Sequence, residues 1–238
     1  LLLPPGKKTK TGYSTDNDTL EKLTKYHPIA QAIIECRRVA KLKSTYADGL
    51  ADKVGPDGRI HTVFMQAVTQ TGRISSVEPN LQNIPIRTDL GRQLRRAFSA
   101  AEGNLLVDAD YSQIELRILA HIADDGAMQK AFLDGEDIHT ATASQVFDLP
   151  MEMITPEFRR RAKAVNFGIV YGIGDYSLGQ DLKISRKEAK QYIDAYLETY
   201  TGVRDFMQNT VEFGKEHGYV ETLFHRRRYV PELKANGH

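Results

Sequence analysis

The chain has 238 residues, 41% of them hydrophobic, which suffices for a folded core in one large domain or two to three small subdomains and excludes a disordered tail. Lysine and arginine total 32 against 31 acidic residues, so the net charge of +1 gives no global case for a nucleic-acid partner, and any such case must be local. One cysteine, Cys36, excludes an internal disulfide framework, no Cys and His spacing suggests zinc, and no apolar run approaches the roughly 18 residues of a membrane helix. These features fit a reducing cytosol, and an opening Leu rather than Met leads us to expect an excerpt of a longer protein.

Along the chain, Leu20 and Leu23, then Ile29, Ala32, Ile33, Cys36 and Ala40, predict two amphipathic helices parted near Pro28. Gly55, Pro56, Asp57 and Gly58 form a turn signal before the alternating run at residues 60–67, and residues 104–110 read as a second β-type run after Gly103, so a small sheet is expected. Within LLVDAD at residues 105–110 the apolar run gives way to acid, and Ile114, Ile118 and Ile122 then follow a helical spacing. An acid at a strand-to-helix junction can be held rigidly enough to bind a hard divalent cation, but on spacing alone Asp108 or Asp110 reads first as a cap of the helix that follows.

Asp137 reads as an N-cap with His139 in the first helical turn, where the helix end favours an anion; on its own His139 reads as a surface histidine. Thr155 and Pro156 signal the start of another helix, which carries Arg159, Lys163, Phe167 and Tyr171 at intervals of four. Each such step turns only about 40° around a helix, so the four form one slowly spiralling stripe of two cations followed by two aromatics. That order suits a nucleoside triphosphate, with cations on the phosphates and rings on the base; a solvated charged face next to core aromatics is the other reading. Gly168 and Gly172 weaken this helix near its end and suggest close approach of a ligand. Further stripes at residues 189–200 and 203–211 predict two helices separated by Gly202, and a hairpin is expected over residues 219–230 with Arg226, Arg227 and Arg228 beside its turn. The whole reads as α+β, strands carrying a carboxylate with a large helical insertion.

At this point the motifs resemble a known family. DYSQIELR at residues 110–117 looks like motif A of the family A DNA polymerases, the family of bacterial DNA polymerase I, and Arg159, Lys163, Phe167, Tyr171 and Gly172 reproduce its motif B pattern. TGRISS at residues 71–76, PNLQNIP at 79–85 and GKKTKTGYST at 6–15 support the match, which covers essentially the whole chain.

The resemblance implies a right-hand polymerase architecture, with the end of the thumb at residues 1–50, part of the antiparallel palm sheet with motif A at 51–125, helical fingers with motif B at 126–210, and a return toward the palm at 211–238. It implies template-directed DNA synthesis by a monomeric enzyme of the bacterial cytoplasm and nucleoid, with primer-template DNA and deoxynucleoside triphosphates as partners and two Mg2+ ions as cofactor. Asp110 would bind the ions with the backbone carbonyl of Tyr111, and Asp110 and Lys163 would be the catalytic pair. Arg159, Lys163 and His139 would hold the triphosphate, Phe167 would lie against sugar and base, and Tyr171 would stack near the template. Glu115 would fill the space of a ribose 2′-hydroxyl, which also argues against a single-subunit RNA polymerase. Gln113 and Arg73 would touch the minor-groove side of the new pair, and Gln82, Asn83 and Arg87 the DNA backbone.

The sequence also departs from the family. No His-Asp-Glu triplet, the family's source of a second metal-binding Asp, occurs in these 238 residues. The chain alone is therefore expected to lack polymerase activity, and a non-catalytic DNA- or nucleotide-binding module is the alternative. His225 and Ser177 stand where the family commonly has Gly.

Overall fold

The computed structural model describes residues 3–86 and 88–233, which fall in two compact units, Leu1–Asp108 and Ala109–His238. In the first unit the Ser14 hydroxyl donates to the Asp16 carboxylate at 2.7 Å, and that carboxylate accepts the Thr19 N–H at 2.8 Å, which caps helix α1 (Asn17–Leu23). These bonds to its charged form hold the Asp16 carboxyl down at about 2. Helix α2 (Pro28–Lys41) opens on Pro28, where a missing N–H goes unnoticed, and the His27 ring accepts the Ile29 N–H at 3.0 Å. The break expected near Pro28 is thus present. A π-helical turn, Leu42–Asp48, then leads into the short α3 (Gly49–Ala51), and Leu20, Ala30, Tyr46 and Leu50 supply the buried apolar residues.

Strand β1 (Val63–Met65) pairs antiparallel with β2 (Ser75–Val77), setting Phe64 opposite Ser76, and α4 (Asp89–Arg95) is capped by the Thr88 hydroxyl. Ser76 is fully buried, so its hydroxyl needs partners: it meets the Thr62 hydroxyl at 2.7 Å and accepts the Leu81 N–H at 3.0 Å.

The strand expected at residues 104–110 is not a strand. Leu105 and Val107 are 88% and 89% exposed; the Asn104 N–H turns back to the Ala101 carbonyl at 2.9 Å, and among the described residues no segment pairs with the backbone of residues 105–110. Period and composition alone do not make a strand; a partner edge must satisfy its N–H and C=O groups. In the expected small sheet, β1 therefore pairs with β2 rather than with residues 104–110.

The second unit is helical: α5 (Ile114–Ile122), α6 (Gly126–Leu133), α7 (Ile138–Phe147), α8 (Pro156–Val170), α9 (Asp175–Leu182), α10 (Arg186–Thr199) and α11 (Thr201–His217), followed by the ribbon β3 (Tyr219–Glu221) and β4 (Arg227–Tyr229). Its core joins Leu116, Met128, Ile138, Val165, Leu178, Tyr196 and Val203 from seven different helices. The expected hairpin is present, and His225 in its turn has φ 59°, the left-handed region glycine enters most easily.

Gly202 does not separate α10 from α11; the break is at Tyr200, and Gly202 lies in the first turn of α11. Its role is close approach, since a Cβ there would sit 2.8 Å from the Ala123 carbonyl oxygen and 2.9 Å from the Asp125 Cα. The buried Asp125 carboxylate exploits that approach, accepting the Met128 N–H at 2.9 Å and the Val203 N–H at 3.2 Å, so one side chain caps both α6 and α11. Because the clashing atoms are backbone, Gly202→Ala is expected to destabilise the chain by about 1–3 kcal/mol, read as a lower urea midpoint; wild-type stability would refute the close-packing account.

Candidate nucleotide-binding site

Helix α8 starts as the sequence predicted, with Thr155 Oγ1 accepting the Phe158 N–H at 3.3 Å and Pro156 in the first turn. Ala162, Val165, Asn166 and Ile169 are buried on one side. Arg159 and Lys163 stay exposed, Phe167 is half-buried, and Tyr171 is exposed at the C-cap.

Three arginines stand together at positions 159–161, and their partners sort them. Arg160 and Arg161 both donate to Glu157, and Arg161 also reaches the Tyr192 hydroxyl at 3.2 Å. Arg159 instead forks onto Asp137, with Nε at 2.6 Å from Oδ2 and Nη2 at 3.1 Å from Oδ1. Asp137 occupies the N-cap position of α7, yet its carboxylate caps no backbone N–H; it accepts from Arg159 and from the Thr140 hydroxyl at 2.6 Å. Partial burial pushes the Asp137 carboxyl up, but the Arg159 and Thr140 hydrogen bonds, with the Arg159 and His139 charges, outweigh it and hold the group at about 2.

His139 is not a surface histidine, for it is 3% exposed. Its ring lies 5.7 Å from that of Phe167, tilted by 48°, and Lys163 Nζ stands 5.9 Å from the Phe167 ring centre. Burial lowers the basicity of His139; Arg159 and Lys163 lower it further and Asp137 opposes them. At the far end of the stripe the Tyr171 hydroxyl donates to both Glu115 oxygens, at 3.1 and 3.0 Å. The structure therefore brings together His139, Arg159, Lys163, Phe167, Tyr171 and Glu115.

Other predicted residues stand apart. Asp110 and Tyr111 are exposed in a segment without regular structure ahead of α5, and Gln113 holds the N-cap of that helix with φ 53°. The Asp110 carboxylate is the donor type a hard cation takes and has no ion pair among the described residues, but those residues contain no group of three or more His, Cys, Asp or Glu that could hold a metal. They supply part of a donor set only. In the first unit, Arg73 is exposed, the Gln82 amide accepts the Ser76 N–H and donates to the Ile74 carbonyl, both at 3.2 Å, and the Asn83 carbonyl accepts the Tyr46 hydroxyl at 2.5 Å. Arg87 lies outside the described residues.

The glycines near the end of α8 have internal explanations. A Cβ on Gly168 would run into the Ile173 side chain, and Gly172 ends the helix at φ 70°, so each glycine has a role within the fold. Sequence reasoning missed Asn166, Thr142 and Tyr200, a buried polar series behind His139. The signal was available: Asn166 and Thr142 fall on the apolar faces of α8 and α7, four residues after Ala162 and Ile138.

Comparison with known proteins gives a consistent result. The model of DNA polymerase family A matches residues 1–238. DNA polymerase I of Bacillus caldotenax is 56% identical over 238 residues, covering 99% of this chain and 27% of the relative; that of Bacillus subtilis is 55% identical over 235 residues, covering 98% and 27%. The solved POL domain of Pol1 from M. smegmatis, in complex with DNA primer-template and dNTP, superposes with a TM-score of 0.88 at 47% identity, covering all of this chain and 42% of that one. The α+β polymerase fold expected from sequence is therefore present, and the chain spans about a quarter of the length of the curated relatives it matches. Among the described residues no helix is long and apolar enough to cross a membrane.

The Asp137–Arg159 pair carries a pH signature. A depressed folded carboxyl pKa gives stability that is present above the ordinary value of 3.8 and is lost as pH falls toward about 2. Urea unfolding across that window is expected to show wild-type and Asp137→Asn stabilities converging as pH drops; a gap independent of pH would place the stabilisation elsewhere.

Proposed function

Because the chain belongs to DNA polymerase family A, we propose that it is part of a polymerase that performs template-directed DNA synthesis, transferring deoxynucleotides to a primer 3′-hydroxyl. The observation that carries this reading is the stripe on α8: cations at Arg159 and Lys163, then Phe167 and Tyr171, with His139 beside it and Glu115 bonded to its last ring. The M. smegmatis neighbour, solved with primer-template and dNTP, supports the same ligands here.

In this reading Arg159, Lys163 and His139 bind the triphosphate oxygens. Phe167 packs against sugar and base. Glu115, oriented by the Tyr171 hydroxyl, fills the volume of a 2′-hydroxyl, so deoxynucleotides are selected by exclusion. By the family resemblance, Gln113 and Arg73 would contact the new base pair, and Gln82, Asn83 and Arg87 the DNA backbone. The domain boundaries stay those given by the family resemblance, and the protein acts as a monomer in the bacterial cytoplasm. Asp110 and the Tyr111 carbonyl would contribute to Mg2+ binding, two ions in the complete enzyme, where bound ions supply charge neutralisation and activation of the attacking hydroxyl. With one such carboxylate in place, the 238 residues alone are inactive.

Primer extension with Mg2+ and four deoxynucleotides tests this, run on the 238-residue chain and on the natural full-length protein. Extension by the full-length protein alone, reduced about 10³-fold or more by Asp110→Ala, is the expected result. DNA binding without extension in either would favour the non-catalytic module, and extension by the short chain would refute its inactivity. In the active protein, Tyr171→Phe is expected to weaken discrimination against ribonucleotides by releasing Glu115; unchanged selectivity would remove Tyr171 from that role.

A further inference from the structure

Four polar side chains run in series inside the second unit. Thr142 and Asn166 are fully buried, Tyr200 is 2% exposed and His139 3%. Burying them is costly unless each finds a partner, and each does. The Tyr200 and Thr142 hydroxyls lie 3.0 Å apart, Thr142 Oγ1 lies 3.2 Å from Asn166 Oδ1 and 3.1 Å from Nδ2, and Asn166 Nδ2 is 3.1 Å from His139 Nδ1.

An amide nitrogen only donates, so His139 Nδ1 is the acceptor and the neutral ring carries its proton on Nε2. No described residue bonds Nε2, and it is not a sealed atom: the buried side-chain oxygen or nitrogen without a partner among the described residues is the Tyr196 hydroxyl. Nε2–H is thus the free end of the series. The charged groups that bear on the ring are Asp137 ahead of it on α7 and Arg159 and Lys163 from α8.

We propose that Asn166 is a positioning residue for His139: anchored by Thr142 and Tyr200, its amide holds the ring as the Nε2–H tautomer, an uncharged hydrogen-bond donor offered to a phosphate oxygen beside Arg159 and Lys163. A neutral donor adds a bond to the anion without placing a buried positive charge beside Arg159 and Lys163, so the charge of the site stays constant through neutral pH. The tautomer half of the inference stands on the geometry; the phosphate half rests on the polymerase reading.

The test is the nitrogen-15 spectrum of the histidine rings in the 238-residue chain, with the His139 signals identified by their loss in His139→Gln. The wild type is expected to show Nδ1 unprotonated and Nε2 protonated, and to stay neutral to lower pH than an exposed histidine. A carboxylate only accepts, so Asn166→Asp is expected to move the proton onto Nδ1 and raise the titration midpoint of the ring. A wild-type ring protonated at Nδ1 overturns the proposal whatever the variants do. Should Asn166→Asp not fold, Thr142→Val, which removes the anchor and keeps the amide, is expected to mix the two tautomers; an unmixed Nε2–H ring would overturn the anchoring.

In the full-length protein, Asn166→Asp is expected to raise the deoxynucleotide KM about 10-fold with primer-template affinity unchanged. An inverted tautomer with unchanged KM would refute the phosphate half and leave the tautomer. A full-length protein that makes no DNA would refute the polymerase reading without touching the spectrum.

Discussion

The rotation of α8 about its own axis is the constraint on which the site depends. Ala162, Val165, Asn166 and Ile169 are buried together, and that burial fixes which way every other residue of the helix points. Arg159, Lys163, Phe167 and Tyr171 advance by about 40° per step, so the stripe leaves the edge of the buried face at Arg159 and winds outward to Tyr171. A rotation of one residue would bury Lys163 and expose Val165, at a cost far above that of any single contact in the site. The core therefore aims the site, and packing rather than charge decides the placement of the cations.

Both ends of the stripe are then held by carboxylates. Asp137 takes two of the five N–H groups of the Arg159 guanidinium, and Glu115 takes the Tyr171 hydroxyl. A guanidinium gripped in this way is already ordered, with its remaining donors unspent, so it would lose little conformational freedom on meeting an anion. Arg160 and Arg161 show the contrast: Arg160 pairs with Glu157 within its own helix, and Arg161 is drawn to Glu157 and to Tyr192 of α10, so both carry as much charge as Arg159 without joining the stripe.

The helices were legible because burial on one face writes a 3.6-residue period into the sequence, and Thr155, Pro156 and Pro28 mark helix starts through backbone chemistry that is local. What was not legible was whatever depends on a distant partner. LLVDAD has a strand's composition, but no described segment pairs with it, and composition cannot report that. His139 was misread as a surface residue because one-dimensional spacing does not show Asn166 arriving from another helix. Asn166 itself occupies an apolar periodic position, and a polar residue there was a sign that a buried partner existed.

Motif residues carry two kinds of constraint, and the geometry separates them. In TGRISS and PNLQNIP, Ser76 and Gln82 bond to each other's segments through backbone and hydroxyl groups, which makes them builders of the loop. Within motif B, Gly168 makes room for Ile173 and Asn166 braces His139, while Arg159 and Lys163 stay at the surface. A match to such a motif therefore identifies a shape as much as a chemistry, and the residues at the border between them, as Asn166 is, pass the rigidity of the core to the side chains of the stripe.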